Sequence, residues 1–387
     1  MNSRPRLATF SLPLLLIGCF LCWPPCATGD QIAAGPLAEP LIANNSAGLQ
    51  RAAQPDQVAS PQSPANEADP LFPVEQDGKW GYIDKTGKIV IPLQYSHTYG
   101  FSEGLAVVRV GDKWGYIDKA GKIVIPLQYS DAYPFSDGLA LAAVQPGEQQ
   151  LVGKSIIRLG FIDKTGKMII PPQYSHKEAG WEVPGFHEGL FEVEVGFRPR
   201  KVGFVDKTGQ MVIPPKYDDS GIFYEGLAAV KDGGKWGYID KTGQMVIPPK
   251  YSETGGFFEG LAAVKTGGKW GFIDKTGQMV IQPKDDDNGS FSEGLVQVKV
   301  GKKWGHRDKT GQMVIQPQYD MAYGFTEGLA AVKDGGKWGY IDKTGKMVIP
   351  SHYDMAYKFS EELAIVRVGG KVGYIDKTGK YVWGPTE

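Results

Sequence analysis

A nine-residue phrase, Lys79-Trp80-Gly81-Tyr82-Ile83-Asp84-Lys85-Thr86-Gly87, returns whole or slightly worn nine times along the chain, and its period limits the fold more than any bulk property does. The glycine in third place stands at Gly81, Gly115, Gly160, Gly203, Gly237, Gly271, Gly305, Gly339 and Gly373, giving spacings of 34, 45 and 43 and then 34 five times. Fixed self-similarity of this length marks units that bury their apolar surface against their neighbours. Helical arrays share a similar period, but the residues here exclude them. Every unit carries several glycines, and prolines such as Pro92, Pro126, Pro171, Pro214, Pro248 and Pro350 follow the aliphatic run, so no helical window survives intact.

Within one unit, Leu105-Ala106-Val107-Val108-Arg109-Val110 is rich in β-branched residues and leads through Gly111-Asp112 into Lys113-Trp114-Gly115-Tyr116-Ile117-Asp118. A two-residue link with glycine first predicts a type II′ hairpin. Asp118-Lys119-Ala120-Gly121 then predicts a second turn, with Asp bonding the turn backbone and Gly in a left-handed conformation, before Lys122-Ile123-Val124-Ile125. Each unit is therefore expected to be a three-stranded meander. The turns imply a register: Val110 opposite Lys113, Arg109 opposite Trp114, Val108 opposite Gly115 and Val107 opposite Tyr116. Across the second turn, the same logic sets Ile117 opposite Ile123, Tyr116 opposite Val124 and Gly115 opposite Ile125, with Gly115 leaving room for a neighbouring layer.

One face then carries Ile117, Ile123, Ile125, Val108 and Ala106, and the other Trp114, Tyr116, Val124 and the stem of Arg109. Neither suits water, so the sheets are expected to stack face to face. A connector containing Tyr129 and Phe135 carries the chain back along the stack. The expected architecture is all-β: about nine three-stranded antiparallel meanders stacked as an open superhelical solenoid. Nine units exceed the usual four to eight blades of a ring. A closed β-propeller is the alternative, favoured if the connector supplies a fourth strand. Residues 145–155, 176–184 and 197–200 read as lengthened tips and a lengthened connector. The Phe-x-Glu/Asp-Gly-Leu element recurs from Phe101 onward; its last copy, at Phe359, has Glu362 in place of Gly and reads as a worn terminal cap.

The Lys-Trp-Gly-Tyr-Ile-Asp-Lys-Thr-Gly phrase, in register with the Phe-Ser-Glu-Gly-Leu-Ala element, resembles the bacterial WG (Trp-Gly) β-repeat family from about residue 71 to residue 383. That resemblance implies a secreted or envelope-associated repeat protein and brings no general enzymatic activity. The Trp-Tyr hairpins also look distantly similar to the shorter repeats of choline-binding and glucan-binding surface proteins, which by analogy implies binding.

Ahead of the repeats, Arg4 and Arg6 precede an apolar run from Phe10 to Trp23, with Ala27 and Gly29 at the −3 and −1 places of a cleavage site. Residues 1–29 read as a secretory signal peptide, and no retained transmembrane helix is expected, because Pro13, Gly18, Pro24 and Pro25 break the run. All three cysteines, Cys19, Cys22 and Cys26, lie there, so a mature chain has no thiol chemistry. Leu16-Ile17-Gly18-Cys19 resembles a lipobox, and a lipid anchor at Cys19 is the lesser alternative. Residues 30–70, rich in Ala, Pro and Gln, read as a disordered linker, and 71–387 as the repeat array. With 42 Lys plus Arg against 43 Asp plus Glu, the chain offers no basic footprint for nucleic acid.

Catalysis needs unlike groups converging at one place, whereas this chain supplies the same groups repeatedly. No enzyme, cofactor or metal site is expected. The five histidines, His97, His176, His187, His306 and His352, lack metal-ligand spacing. The Asp-Lys-Thr-Gly series reads as turn chemistry rather than cation sites. Trp is replaced by Leu159, Val202 and Val372 in three units where the turn persists, which favours packing for the Trp. The candidate ligand residues are nevertheless Trp80, Tyr82, Trp114, Tyr116, Trp236, Tyr238, Trp270, Trp304, Trp338 and Tyr340, flat rings at constant spacing. One locality departs from its siblings: Asp285-Asp286-Asp287 replaces a Tyr-containing connector, and His306-Arg307 replaces an aromatic and an aliphatic residue. An unpaired Arg307 on the apolar face is costly, so the two changes either compensate as a buried pair, line a polar site or record drift.

The expected function is an exported, non-catalytic scaffold or binding module at the cell envelope, engaging a protein or surface partner through many weak contacts. Its rivals are a glycan or peptidoglycan reader using an exposed Trp/Tyr ladder and, less favoured, a hydrolase built from Asp285, Asp286, Asp287, His306 and Arg307.

Overall fold

The structure, a computed structural model, describes residues 69–143, 159–174, 185–195 and 200–384. The signal peptide, Cys19, most of the linker and nearly all of the lengthened tips and connector lie outside the described residues. Within them the chain forms nine small antiparallel sheets and no helix. These are blades 1 to 9, at residues 72–95, 97–129, 131–174, 190–217, 219–251, 253–285, 287–319, 321–353 and 355–383.

The sheets close into a nine-bladed β-propeller, which overturns the open solenoid. Blade 1 packs directly on blade 9: the Tyr374 hydroxyl donates to the Pro73 carbonyl at 2.8 Å, and the Phe72 and Tyr374 rings meet edge to face at 5.6 Å. Phe72, Val74 and Ile83 share a buried cluster with Leu363, Ile365 and Tyr374. A stack open at both ends would leave these apolar faces in water, and closure removes both. The connector also does more than return the chain. Seven of the nine sheets have four strands, because in those blades part of the connector pairs with the strand that follows it, as His97–Thr98 does with Ala106–Val110 and the longer Glu253–Phe258 does in blade 6. The connector tip is itself a tight hairpin, since Ser102 and Leu105 exchange two backbone hydrogen bonds around Glu103-Gly104.

The first hairpin has the expected register, Arg109 opposite Trp114 and Val107 opposite Tyr116. The second does not. Ile117 faces Ile123 as expected, but Tyr116 faces Ile125 and Trp114 faces Tyr129, so the third strand contains irregularities that insert extra residues. Two corrections follow. Ile123 and Val124 are turned out to solvent, 48% and 40% exposed, rather than packed between layers. Gly115 makes room not for a neighbouring sheet but for its own blade: a Cβ there would sit 2.7 Å from the Ile125 carbonyl oxygen and 2.9 Å from the Pro126 carbonyl carbon.

Adjacent blades are joined by one latch repeated around the ring. Glu259 of blade 6 accepts a hydrogen bond from the Gly294 N–H of blade 7, and Lys309 of blade 7 pairs with the same carboxylate at 2.9 Å while donating to the Glu259 carbonyl at 3.0 Å. Glu225 with Gly260 and Lys275, and Glu293 with Gly328 and Lys343, repeat it. Each such Glu has a left-handed backbone, φ 52° at Glu259, held by these bonds.

The last unit is a seam rather than a worn cap. Glu362 keeps the left-handed conformation expected of the missing glycine, φ 72°, and its carboxylate pairs with Lys85 of blade 1 at 3.5 Å. Left-handed backbone costs a non-glycine residue about 1 kcal/mol, whereas an exposed ion pair contributes about 0–1 kcal/mol. Glu362→Gly is therefore expected to leave stability unchanged or raise it by up to about 1 kcal/mol, measured by urea unfolding; a loss of several kcal/mol would mean the ion pair dominates the seam.

Candidate functional site

The aromatic series lies mainly inside the blade joints. Tyr82, Tyr116, Tyr238 and Tyr340 have no solvent-exposed surface, and Trp80, Trp114, Trp304 and Trp338 retain at most 7%. Each tyrosine is placed by its strand to cross to the next blade: Tyr116 donates to the Tyr133 carbonyl at 2.9 Å and Tyr340 to the Tyr357 carbonyl at 2.8 Å. Tyr82 and Tyr238 likewise reach Tyr99 and Gly255, and each also shares a short hydrogen bond with a threonine, Thr98 or Thr254. Burial raises the Tyr82, Tyr116 and Tyr238 hydroxyls far above their ordinary pKa, so they remain proton donors. These buried rings offer no face to a sugar. Only Trp236 and Trp270 are partly exposed, and both carry a lysine ammonium nearby, Lys231 at 5.8 Å and Lys265 at 5.4 Å from the ring centroid.

The Asp-Lys-Thr-Gly turns behave as turns. Asp240 accepts from the Thr242 hydroxyl and from the Thr242 and Gln244 N–H groups. The Thr242 hydroxyl, against a smaller desolvation effect, and those N–H groups hold the Asp240 carboxyl below the usual carboxylate range. The Asp240 Oδ1 is thus already engaged by three protein donors.

The atypical locality divides among different joints. Asp285 of blade 6 is fully buried and receives Arg307 of blade 7 through a fork, Nη2 at 2.8 Å and Nε at 3.0 Å. Arg307 Nη1 donates to the Gly311 carbonyl at 3.1 Å. In sibling joints a tyrosine at the place of Asp285 supplies that last bond, as Tyr129 does to Gly166 at 3.2 Å. The two departures therefore compensate each other as a buried pair, and Arg307 takes over the tyrosine's bond as well. His306 sits where five siblings have tyrosine and three phenylalanine, and it does the tyrosine's work toward blade 8, with Nε2 2.9 Å from the Tyr323 carbonyl. Asp286 points elsewhere, to Lys269 and to the Gly301 N–H at the opposite end of the blade, and desolvation raises the carboxyl of Asp287, which pairs in register with Lys299. Three further buried polar atoms in blade 7, Asn288 Nδ2, Gln297 Oε1 and His306 Nδ1, have no protein partner. Gln297 escaped notice in the sequence, although it breaks an apolar column that includes Ala229, Ala263 and Ala331; Asn288 belongs to the atypical Asp285-Asp286-Asp287-Asn288 run and stands where siblings have Thr, Ser or Ala. Among the described residues, no group of three or more His, Cys, Asp or Glu side chains is placed to hold a metal ion.

Desolvation drives His306 down to about 4 from an ordinary 6.5, against the opposing hydrogen bond to Tyr323. Between those values the unfolded chain binds a proton that the folded chain does not. Stability is therefore fully present above pH 6.5 and falls as pH drops toward 4, by about 2–3 kcal/mol. His306→Tyr, which restores the sibling residue and its donor, is expected to flatten this part of the profile when urea unfolding at pH 7 and pH 4.5 is compared. An unchanged slope would place the sensitivity elsewhere.

A family model described as "WG containing repeat" matches residues 80–114, 114–145, 160–196, 203–236, 236–270, 270–304, 308–338 and 338–371. No curated protein matches the chain. Among solved structures, one titled "Crystal structure of the eukaryotic initiation factor" is similar at 11% identity and a TM-score of 0.57, covering 81% of this chain and 95% of that one. Weaker likenesses include apo AztD from Citrobacter koseri, 12% identical over 81% of this chain and 93% of that one with a TM-score of 0.39, and the dihydro-heme d1 dehydrogenase NirN, 15% identical over 84% and 74% with a TM-score of 0.42. At these identities the first likeness speaks to fold alone, and the other two carry no argument.

Proposed function

The chain belongs to the WG containing repeat family, and from that premise we propose that it is an exported, non-catalytic scaffold at the cell envelope that holds a protein partner through repeated contacts along its outer strands. The observation that carries this reading is the third strand of the blades. Val124, Val212, Val246, Val280, Val314 and Val348 occupy one repeat position and are each 37–43% exposed. A single exposed valine is ordinary, but the same aliphatic side chain returned blade after blade gives a partner a series of equal, weak footholds whose strengths combine when several are engaged together. The polar chemistry, by contrast, is spent on latches, turns and inter-blade hydrogen bonds. Arg4, Arg6 and the apolar run after them support export, and the Ala/Pro/Gln-rich segment fits a tether between envelope and ring.

The test is a pull-down of envelope proteins and polysaccharides with the parent chain and with a variant in which Val212, Val246, Val280 and Val314 become threonine. Protein capture that disappears in the folded variant supports the reading. Capture of polysaccharide alone, or protein capture indifferent to the substitutions, overturns it.

A further inference from the structure

We propose that blades 5 and 6 carry two neighbouring sockets for aromatic side chains of a polypeptide partner, distinct from the outer valine series. In blades 2 and 8 the indole is covered from within its own blade by a tyrosine fifteen positions earlier in the sequence. Tyr323 lies stacked on Trp338 with centroids 4.9 Å apart and planes 16° apart, and Tyr99 lies 5.8 Å from Trp114; both indoles are buried. In blades 5 and 6 the corresponding residues are Gly221, before Trp236, and Gly255, before Trp270. These indoles are the two of the series left partly exposed.

Where each missing side chain would begin, the space is nearly open. A Cβ built on Gly221 would find only the Ala229 methyl within 4 Å, at 3.8 Å, and one on Gly255 only the Ala263 methyl, at 3.9 Å. Blade 7 is the informative contrast. It also has glycine at this place, Gly289, but Gln297 stands where its neighbours have alanine, its amide fills the gap and Trp304 falls to 3% exposure. Blades 5 and 6 therefore combine three conditions: no tyrosine lid, no glutamine plug and an alanine floor beneath an accessible indole.

The occupant is argued from the molecule's own practice. Where this socket is filled by an aromatic residue of the chain, the filler is a phenol ring, so a tyrosine or phenylalanine side chain from a partner matches the shape and the π-face that the chain itself uses. The walls fit a peptide in other respects. Lys231 and Lys265 flank the indoles, Lys265 is paired with Glu253 at 2.8 Å, and Asp219 pairs in register with Lys231. Acceptors and donors thus border each apolar slot. The two slots lie at the blade ends opposite the Lys–Glu latches, on consecutive blades, so one extended segment bearing two aromatic residues engages both and gains from their linkage.

The full-length protein carrying 5-fluorotryptophan, with the Trp236 and Trp270 fluorine resonances assigned through Trp236→Phe and Trp270→Phe, is titrated with N-acetyl-tyrosinamide. The expected result is a saturable shift of those two resonances and not of Trp338, lost in the Gly221→Tyr/Gly255→Tyr variant, whose chain supplies the rings itself. Neither glycine has a left-handed backbone, so the tyrosines are admissible there; should that variant fail to fold, Ala229→Gln/Ala263→Gln, which copies the plug of blade 7, replaces it. The proposal is overturned by no shift at Trp236 and Trp270, by equal shifts at Trp338, or by shifts that persist in the plugged variant. A response to methyl glucoside with none to N-acetyl-tyrosinamide overturns it in favour of a sugar platform. Because the outer valines are untouched, loss here leaves the envelope pull-down unchanged.

Discussion

Replacing Gly271 with alanine is expected to destabilise the ring by about 3 kcal/mol or more, although the change adds a single methyl group. That methyl would lie 2.5 Å from the Ile281 carbonyl oxygen, 2.8 Å from the Pro283 nitrogen and 3.0 Å from the Gln282 carbonyl carbon. All three are backbone atoms of the same blade's third strand, which has no rotamer to yield with. Moving them means undoing the irregular pairing that sets Phe272 against Ile281 and Trp270 against Asp285. The control is Gly233→Ala in a hairpin tip, where a Cβ meets nothing within 4 Å and the loss is confined to the left-handed backbone, φ 58°, about 1 kcal/mol. Urea unfolding of the two variants separates the effects. Equal losses would show that the close approach is tolerated and that glycine is kept at Gly271 for some other reason.

The second large effect is at the joint of blades 6 and 7. Arg307→Met removes the partner of a carboxylate with no exposed surface, and unpairing a buried charge costs about 3–5 kcal/mol. Asp285→Asn is expected to be similarly damaging, since it leaves a guanidinium that is only 11% exposed facing a neutral amide. The double change Asp285→Tyr/Arg307→Ile installs the residues found at sibling joints, such as Tyr129 of blade 2 and Ile162 of blade 3. It is expected to recover most of the loss and to equal or exceed the parent, because a buried ion pair is commonly no better than the apolar packing it replaces. A double-mutant cycle read by thermal unfolding decides the matter. If the double variant is as poor as either single one, the pair is not a self-contained substitute for the sibling pair.

Much of the blade was legible in the sequence because it depends on local chemistry. The Gly111-Asp112 hairpin sets the pairing of Arg109 with Trp114 by turn geometry alone, and the Asp-Lys-Thr-Gly turn is decided within five residues. The pairing of Trp114 with Tyr129 was not legible, because it depends on extra residues around Val124 and Pro126 that no turn rule places. Closure was missed for a related reason. Whether nine units spread along an axis or return on themselves is set by the angle at each joint, where contacts join residues far apart in the sequence, as the latches link Glu259 to Gly294 and Lys309, 35 and 50 positions on. At the atypical locality, the composition of Asp285 and Arg307 was visible and their compensation was among the readings, but the bond to the Gly311 carbonyl was not. The notches at Gly221 and Gly255 were present in the sequence as absences, detectable once Tyr99 and Tyr323 are seen lying on their indoles.

The way the ring closes bears on how such a chain changes length over time. No described blade borrows a strand from the far terminus: blade 1 and blade 9 are each one continuous segment, and they meet only through side chains and backbone atoms such as Tyr374 with Pro73 and Lys85 with Glu362. A ring sealed by a shared strand ties its blade count to one fixed partnership between the two termini. Here the terminal joint is a variant of the internal ones, so duplication or deletion of a 34-residue unit leaves both of its edges intact. Blade number is thereby free to drift as a unit of inheritance, with the joint angle as its only restraint.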